Sequence, residues 1–366
     1  MTAWRSIITC SIVVMALALS SCSKPVVSSN VLRSWQCMGT IAELTMPGTA
    51  GTQVNDYLDI CEKITEELEG RLSKYRPGSK LSAISRRAGE KGVRLSGETL
   101  KVLQMGVQYA EISRGVFDPT VGPLTKTWGF GGSNEPEGIP VAEEIKTAKN
   151  LVDYRKITIR WLENNRNHTN RAAVVSLDQK GMELDLGGIA KGYAVDRCYE
   201  ELQARDAGNF IVGIGGNLRC AGKRQENEPW RIGVRNPFVP EAILGRIRLS
   251  NGAAVATSGN YERFVEIAGR KYAHILDPRT GAPVQGMAQV TVISDSAADA
   301  DALSTILFIM GVKPGTGILE RTGGEALFVT DSKPAQFFAT RGFLKLFEPD
   351  PQIAGRIRVV NETPLK

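Results

Sequence analysis

Histidine is scarce in this sequence, whose 366 residues contain only two, His168 and His274. A zinc or iron site built from several histidines is therefore excluded. None of the six cysteines forms a Cys-x-x-Cys pair, so zinc ribbons and thioredoxin-type redox sites have no support. The phosphate-binding patterns GxGxxG and GxxxxGK followed by Ser or Thr are also absent.

The charges show no concentration of one sign. Lys and Arg number 45 against 39 Asp and Glu, a formal net charge of +6, without the basic run that is typical of nucleic-acid binding. We therefore expect no nucleic-acid partner. The small positive excess suits an anionic ligand or a membrane surface, although many globular proteins share it. The length predicts two domains, or one large α/β or α+β unit.

An apolar stretch, Ile7–Leu19, follows Arg5 near the N-terminus. It is shorter than the roughly 20 residues that span a bilayer, and it has the length of a signal-peptide core. It is followed by Ser-Ser-Cys22, and small residues before a cysteine resemble a bacterial lipobox. The resemblance implies cleavage before Cys22 and lipidation of that cysteine. An ordinary signal peptide or an N-terminal anchor is the alternative.

These features predict a lipoprotein signal peptide at residues 1–21, then a lipidated cysteine and an aperiodic tether at residues 22–35. The predicted domain covers residues 36–350, and a tail follows at 351–366. We expect the protein to be held by lipid on the periplasmic side of a bacterial membrane. The inner membrane is favoured over the outer one, and the sequence leaves that choice open.

Four cysteines remain in the predicted domain, each among apolar residues: Cys37, Cys61, Cys198 and Cys220. We expect them to pack as small hydrophobic side chains. An oxidising compartment would permit a disulfide bond, and the sequence leaves its pairing open.

The periodicity of apolar residues predicts an α+β fold with helices packed on a mixed or antiparallel sheet. Helical spacing is found over 52–73, Leu100–Ala110, 142–150, Ala190–Ala207 and Ala297–Met310. Strands are predicted at Gln36–Met46, Lys156–Arg160, Ala172–Leu177, Phe210–Ile214, Arg231–Val234, Arg246–Leu249, Phe264–Ile267 and Gln289–Ile293.

Five clusters contain residue types that bind ligands. The first begins at Gly115 with the sequence GVFDPTVGPL and continues to Trp128-Gly-Phe-Gly. Its prolines and glycines predict a fixed loop, and aromatic rings on such a loop suit a flat ring ligand. A well-packed Ω-loop without a ligand is the alternative.

The second cluster, Leu184–Asp196, reads LDLGGIAKGYAVD. An apolar strand reaching Asp185, a glycine pair and a helix starting near Ala190 would present free backbone N–H groups beside Lys191. This combination suits a phosphate or pyrophosphate, and a tight strand–helix connection is the alternative. The third cluster, Ile211–Asn217, predicts a buried strand and a glycine-rich turn that could approach a ligand closely.

The fourth cluster contains two hydroxyls, Thr257 and Ser258, that suit phosphate oxygens. It also contains His274, which lies three residues before Asp277 and a Pro-Arg-Thr-Gly turn. A histidine near a carboxylate can exchange protons at neutral pH. His274 and Asp277 are therefore the candidate catalytic residues.

The fifth cluster opens the last strong helix. Asp301 and Thr305 are four residues apart and so share one face, with Ser304 beside them. Carboxylate and hydroxyl oxygens bind hard cations, and Mg²⁺ completes its shell with water or phosphate. Capping of the helix by its acidic residues is the alternative.

The clusters together resemble the ApbE family, the FAD:protein FMN transferases. The resemblance covers about residue 36 to about residue 345. The matching segments are Met38-Gly-Thr, Ser73-Lys-Tyr75, Ser79-Lys-Leu-Ser-Ala-Ile, FDPTVGPL with WGFG, LDLGGIAKGYAVD, IGGN, ATSGNYE, HILDPRTG and ADALST.

The resemblance implies the family's T-fold-related α+β architecture, in which two entwined subdomains hold FAD between them. Thr257 and Ser258 join the proposed FAD site on the chemistry of their hydroxyls. Its other members, carried over by position, are Met38, Tyr75, Val116, Phe117, Asp118, Asp185, Lys191, Tyr193, His274 and Ile275.

The same resemblance implies a Mg²⁺ site and a reaction. The metal would be held by the backbone carbonyl of Ala190, the Asp301 carboxylate and the Thr305 hydroxyl, with Ser304 close. FAD, the substrate, would be split so that FMN moves to a Thr or Ser hydroxyl of a target protein and AMP leaves. Implied targets are periplasmic flavin-bearing subunits of respiratory complexes, such as the sodium-pumping quinone reductase and Rnf.

Two other functions remain open. A Mg²⁺-dependent FAD pyrophosphatase would use the same pocket, with water in place of the acceptor hydroxyl. A flavin-binding lipoprotein would store or deliver FAD without chemistry. His274, Asp301 and Thr305 favour an enzyme, and the sequence does not separate hydrolase from transferase.

Overall fold

The computed structural model describes residues 30–49, 51–130, 138–162, 172–224, 228–261, 264–267 and 270–360. The predicted signal peptide, the lipidation site Cys22 and His168 lie outside these ranges. No helix within the described ranges combines the length and the apolar character needed to cross a membrane.

Helices occupy ten segments of the described chain. They are α1 (Gly51–Leu72), α2 (Lys80–Arg86), α3 (Gly97–Ser113), α4 (Gly122–Thr127), α5 (Ala142–Lys149), α6 (Ala190–Ala204), α7 (Ala297–Met310), α8 (Val312–Thr322), α9 (Arg341–Leu346) and α10 (Pro351–Ala354). Apolar periodicity thus located α1, α3, α5, α6 and α7 correctly, with differences at their ends.

The strands up to residue 259 are β1 (Asn30–Cys37), β2 (Thr40–Pro47), β3 (Val93–Ser96), β4 (Ile157–Trp161), β5 (Ala172–Leu177), β6 (Phe210–Ile214), β7 (Asn217–Ala221), β8 (Trp230–Arg235), β9 (Ile243–Leu249) and β10 (Ala254–Gly259). The later strands are β11 (Phe264–Ile267), β12 (Arg270–Ala273), β13 (Leu276–Asp277), β14 (Ala282–Pro283), β15 (Met287–Ser294), β16 (Glu325–Thr330), β17 (Phe337–Thr340), β18 (Phe347–Pro349) and β19 (Ile357–Val360).

A nine-stranded sheet in the order β1-β2-β6-β7-β10-β15-β16-β17-β19 forms the centre of the fold. Its neighbouring strands are antiparallel, except for the parallel pair β17 and β19. Two three-stranded sheets, β3-β5-β4 and β18-β9-β8, and the hairpins β11-β12 and β13-β14 surround it. The predicted α+β fold with mixed and antiparallel sheets is confirmed.

The central sheet separates two hydrophobic cores. Successive side chains of a strand point to opposite faces, so Phe328 of β16 packs in the core under the long helices. Its neighbours Leu327 and Val329 pack in the core beneath β8 and β9. The four cysteines are buried free thiols, in agreement with their apolar sequence context.

One predicted strand is wrong, because Gln36–Met46 is a hairpin and not a single strand. β1 and β2 are joined by Met38 and Gly39, whose φ angles are 49° and 68°. Two positive φ angles define a type I′ turn, which matches the twist of the flanking strands. Glycine at the second position adopts its positive φ angle without the steric cost that a side chain would add.

Both limits of the predicted domain also need correction. β1 begins at Asn30 and pairs with β2 along its whole length, so residues 30–35 belong to the sheet and not to a tether. The predicted tail contains α10, and its β19 pairs with β17. Ile353 of α10 is buried among apolar residues. The packed part of the protein therefore continues to Val360.

A close contact between α6 and α7 positions the two helix starts. A Cβ atom on Gly192 would lie 2.1 Å from the carbonyl oxygen of Ala297, so only glycine allows this approach. The Asp196 carboxylate of α6 accepts the N–H groups of Ala297 and Ala298, each at 2.9 Å. In return, the Asp301 carboxylate of α7 accepts the N–H of Gly192 at 2.9 Å.

We predict that Gly192→Ala destabilises the protein by about 3 kcal/mol or more, because its methyl group collides with backbone that cannot move independently. Gly70→Ala in α1 is the matched control, since an added Cβ there has no neighbour within 4 Å. Alanine should stabilise that helix by up to about 1 kcal/mol. Urea unfolding measures the stability change of both variants. A Gly192→Ala protein as stable as the wild type would contradict the packing argument.

Candidate active site

A cavity of about 1170 Å³ opens at the starts of α6 and α7. Ligand pockets usually measure roughly 300–1,000 Å³, so this one has room for a large ligand. Turns of the central sheet, the loop before α4, β8, β10 and β13 all contribute to its wall. It brings together most of the predicted site residues, namely Met38, Tyr75, Val116, Phe117, Asp118, Asp185, Ala190, Lys191, Thr257, Ser258, His274, Ile275, Asp301 and Thr305.

Three predicted site residues do not line this cavity. Tyr193 is buried in the main core, and burial together with Glu98 raises the pKa of its hydroxyl to about 12. Ser304 lies behind the wall, with its Oγ 2.8 Å from Oγ of Ser258. The Asp277 carboxylate binds the guanidinium of Arg279 through both oxygens, because both residues lie in the tight turn that the N–H groups of Thr280 and Gly281 close on the Asp277 carbonyl.

The segment before α6 differs from its predicted form. Leu184 and Asp185 lie outside any strand, and their region forms only one parallel bridge, between Val121 and Glu183. The N–H of Asp185 donates to the carbonyl of Pro119 at 2.7 Å. Asp185 therefore donates its N–H to the loop before α4 and not to a neighbouring strand. The glycine pair and the helix start at Ala190 are as predicted.

The turn at Gly188 packs closely against other parts of the wall. A Cβ atom there would lie 2.9 Å from the Phe117 ring and 3.4 Å from the Thr305 hydroxyl. Glycine at this position thus lets the backbone pass beside the ring and the hydroxyl. The first N–H groups of α6 consequently lie near Thr305, at the positive end of the helix.

An ion pair in the cavity wall joins Lys74 and Asp185, with 2.6 Å between Nζ and Oδ2. Burial alone would raise the pKa of Asp185, but the charge of Lys74 and hydrogen bonds from Lys74, Gly187 and Thr125 outweigh it and lower that pKa. Burial would likewise lower the pKa of Lys74, and the Asp185 carboxylate raises it overall. Both groups are therefore charged at neutral pH.

Sequence reasoning missed Lys74. The matching segment Ser73-Lys-Tyr75 drew attention to the aromatic residue, and a lysine beside it carries no separate signal. Its partner lies 111 positions away, so no local pattern could reveal the pair.

Asp301 lies at the point where the two helix starts meet. Besides Gly192, it has the Lys191 ammonium 3.4 Å from each carboxylate oxygen. Lys191 also donates to the carbonyl of Gly187 at 2.8 Å. The Thr305 hydroxyl donates to the backbone carbonyl of Asp301 at 3.2 Å, so both side chains stay on the cavity side of α7.

These donors are hard oxygens from a carboxylate, a hydroxyl and a carbonyl. Within the described ranges, no cluster of three or more His, Cys, Asp or Glu side chains could hold a metal. Mg²⁺ needs few protein ligands because water and phosphate complete its shell, so the residues around Asp301 fit that ion.

Asp118 lines the cavity, but its carboxylate is already bonded within the loop. It accepts the N–H and hydroxyl of Thr120 at 2.8 and 2.6 Å, and the N–H of Tyr154 at 3.0 Å. Burial raises its pKa, and these hydrogen bonds oppose the rise. Asp118 therefore fixes the loop that presents Phe117 to the cavity.

Thr257 and Ser258 lie in strand β10 and not in a loop. The Thr257 hydroxyl lies 3.0 Å from the hydroxyl of Thr291, which also accepts from Gln289 at 3.2 Å. Gln289 in turn accepts from Tyr261 at 3.0 Å. Thr257, Thr291 and Tyr261 of this chain line the cavity, and Gln289 is buried behind them. The alternation that would have predicted β10 is hidden by its small residues.

The hairpin turn between β1 and β2 also lines the cavity. The N–H of Met38 donates to the Glu69 carboxylate at 2.9 Å, and Glu69 also binds Arg76 at 3.2 Å. Tyr75 lines the cavity with 58% of its surface exposed. His274 is half-buried and lines the cavity from the segment before β13.

The site therefore has three chemical zones: aromatic rings, a positively polarised helix start with two lysines, and a wall of hydroxyls. Such a cavity defines a binding site for a large phosphorylated ligand that contains aromatic rings. A half-buried histidine at its edge adds a group that can move a proton near neutral pH.

Comparison with known proteins identifies the family. The model of the ApbE family matches residues 38–328, and the chain belongs to that family. An FAD:protein FMN transferase of Vibrio cholerae serotype O1 is 32% identical over 308 residues, which cover 83% of this chain and 88% of the relative. A Haemophilus influenzae protein of the same name is 32% identical over 320 residues, covering 84% and 88%.

Solved structures agree with this assignment. The flavin transferase ApbE from Vibrio cholerae superposes with a TM-score of 0.74 at 29% identity, covering 87% of this chain and 99% of that one. The ApbE protein from Thermotoga maritima gives a TM-score of 0.76 at 30% identity, covering 87% and 100%. The fold is therefore the ApbE fold that the sequence motifs predicted.

We predict that Asp185→Asn destabilises the protein by about 3 kcal/mol at pH 7, because it leaves the Lys74 ammonium in the cavity wall without its anionic partner. The lowered pKa of Asp185 means that its stabilising charge is present above the unfolded value of about 3.9 and is lost as the pH falls through the lower folded value. The difference in the free energy of unfolding between the wild type and Asp185→Asn should therefore become smaller below about pH 4.

Glu183→Gln is the control, because Glu183 pairs with Lys126 at the surface, with side chains 33% and 73% exposed. It should change the stability by no more than about 0.5 kcal/mol. Urea unfolding between pH 3 and pH 8 provides the comparison. A constant difference between wild type and Asp185→Asn across that range would contradict the assigned ion pair.

Proposed function

We propose that this protein transfers FMN from FAD to a Thr or Ser hydroxyl of a target protein and releases AMP. The observation that carries the proposal is the cavity itself, which brings fourteen predicted flavin-site and metal-site residues into one space. The name shared by the relatives, FAD:protein FMN transferase, supports the same reaction.

The distribution of side chains suggests how FAD would be held. Phe117, Phe130 and Tyr75 line one part of the cavity and offer faces for a flat ring system. The Lys191 ammonium and the positive end of α6 suit the pyrophosphate, since a helix start attracts anions. The N–H groups of Ala190 and Gly192 already donate to the Leu186 carbonyl and the Asp301 carboxylate, so the attraction comes from the ammonium and the helix dipole. The Lys74–Asp185 pair stiffens the wall between these two zones.

Asp301, Thr305 and the carbonyl of Ala190 would hold Mg²⁺. When bound, the ion supplies positive charge that stabilises the developing negative charge of a pyrophosphate under attack. The protein's own contribution is to orient the Asp301 carboxylate through its hydrogen bond from Gly192. Lys191 would then move its ammonium toward the phosphate oxygens.

His274 is the proposed general base. It would accept the proton of the acceptor hydroxyl, whose oxygen forms a bond to the phosphorus of the FMN half. The bond between that phosphorus and the bridging oxygen breaks, and the electron pair leaves with AMP. Asp277 is not given a part in this step, because Arg279 binds its carboxylate.

The cellular setting remains part of the proposal. A lipid anchor at Cys22 would hold the enzyme on the periplasmic side of the membrane, with the inner membrane favoured. The acceptor would be a flavin-bearing subunit of a respiratory complex of the Nqr or Rnf type. The sequence of the N-terminal region supports the anchor through its lipobox-like cysteine.

The test incubates the purified protein with FAD and Mg²⁺, with and without an acceptor domain that carries a reactive threonine. Mass spectrometry follows AMP, FMN and the acceptor mass. An acceptor that gains the mass of FMN with an equal amount of AMP supports the transferase. Free FMN and AMP without any dependence on acceptor would indicate a pyrophosphatase, and intact FAD in both samples would contradict catalysis.

We expect His274→Ala to lower FMN transfer at least 100-fold, because general-base catalysis contributes about 10²–10⁴-fold. FAD affinity, measured by flavin fluorescence, should remain within a few-fold of the wild type. Undiminished transfer by the variant would remove His274 from the mechanism.

We expect Asp301→Asn to raise the Mg²⁺ concentration for half-maximal activity at least tenfold. The amide retains an oxygen for the N–H of Gly192 but loses the negative charge that attracts the ion. Asp295→Asn is the matched control, since Asp295 is exposed before the same helix and does not line the cavity. Equal Mg²⁺ dependence in the two variants would refute the ligand assignment.

A further inference from the structure

An open edge of the central sheet leads to the cavity. β1 forms one end of the nine-stranded sheet, and β2 is its sole strand partner in the described part of the chain. The Met38–Gly39 turn follows β1 directly and lines the cavity. A strand added to the outside of β1 would therefore have one end at the cavity rim.

The register shows which backbone groups point outward. A two-residue turn is closed by the hydrogen-bonded pair Cys37 and Thr40, and the pairs then alternate along the ladder. Leu32, Ser34 and Gln36 occupy the non-hydrogen-bonded positions, so their N–H and C=O groups face away from β2. Among the described residues, none of these three N–H groups donates to another backbone carbonyl outside the ladder.

Apart from Arg33, whose guanidinium donates to the outward carbonyl of Leu32 at 3.2 Å, this edge lacks the features that usually prevent strand addition. Its exposed side chains Leu32, Ser34 and Gln36 are uncharged, and its register continues without a bulge over eight residues. Proteins commonly protect such edges with charges, proline, bulges or short strands. The opposite edge follows that rule, because β19 has four residues and exposes Arg358.

We propose that an extended segment of the acceptor protein docks on β1 by strand addition and so brings its hydroxyl into the cavity. This inference rests on the proposed function, which requires a protein hydroxyl to reach the bound flavin nucleotide. Strand addition gives affinity through backbone hydrogen bonds, and side-chain contacts add specificity.

Apolar side chains beside the edge fit the same partner. Leu32 and Ile41 are 54% and 58% exposed, on the face of the hairpin that does not pack against α1. Ile41 also lines the cavity. Side chains of an added strand that point to this face would contact Leu32 at one end and approach Ile41 at the other.

The test compares Ser34→Pro with Ser34→Ala in the full-length protein. Proline removes an outward N–H and leaves the β1–β2 ladder intact, whereas alanine removes only the hydroxyl. The acceptor is the soluble domain of a flavin-bearing subunit from a sodium-pumping quinone reductase. Ser34→Pro should raise the half-saturating acceptor concentration at least tenfold, and Ser34→Ala should leave it unchanged. FAD affinity and melting temperature should match the wild type in both variants.

Hydrogen exchange of the unmodified protein gives an independent measurement. The amides of Ser34 and Gln36 should exchange more slowly once acceptor is added. If these amides are already protected from exchange without acceptor, the inference is overturned. Protection that increases with enzyme concentration would indicate a second copy of the chain on this edge. Protection that is independent of enzyme concentration would indicate that residues before Asn30 cover the edge.

The two proposals fail in different ways. If the wild-type enzyme adds no FMN to the acceptor, the proposed function fails and the docking inference fails with it. If FMN is added but Ser34→Pro saturates at the wild-type acceptor concentration and the β1 amides gain no protection, the docking inference alone is wrong.

Discussion

The reciprocal contact between α6 and α7 is the constraint on which the site depends. Each helix places a carboxylate on the first N–H groups of the other, through Asp196 and Asp301. The absent side chain of Gly192 lets the two helix starts meet. The positive start of α6 and the partly available carboxylate of Asp301 are thereby held at the same wall of the cavity.

The aspartates of the motif segments have different roles, which their hydrogen bonds reveal. Asp118 and Asp196 have both carboxylate oxygens engaged by backbone groups and side chains of the loop and helix that they fix. Asp185 is bound to Lys74. Asp301 has one short hydrogen bond and a lysine at 3.4 Å, so its carboxylate keeps the greatest capacity for a cation.

Local sequence patterns predicted the elements better than the contacts between them. Ala297–Met310 was predicted with its observed bounds because an apolar helix lies between Ser296, whose hydroxyl caps it, and Gly311. Strand β10 was missed because its alternation consists of small residues. The bond between Asp277 and Arg279 was missed because a carboxylate near a histidine was assumed to serve that histidine, whereas the arginine two residues later binds it more directly.

The α6–α7 junction is the proposed binding site for the pyrophosphate of FAD. A crystal structure of the protein with FAD and Mg²⁺ tests it most directly. We predict the pyrophosphate beside Lys191 and the start of α6, with the metal on Asp301 and Thr305. A pyrophosphate bound along the Thr257–Tyr261 wall, with no metal at Asp301, would contradict it.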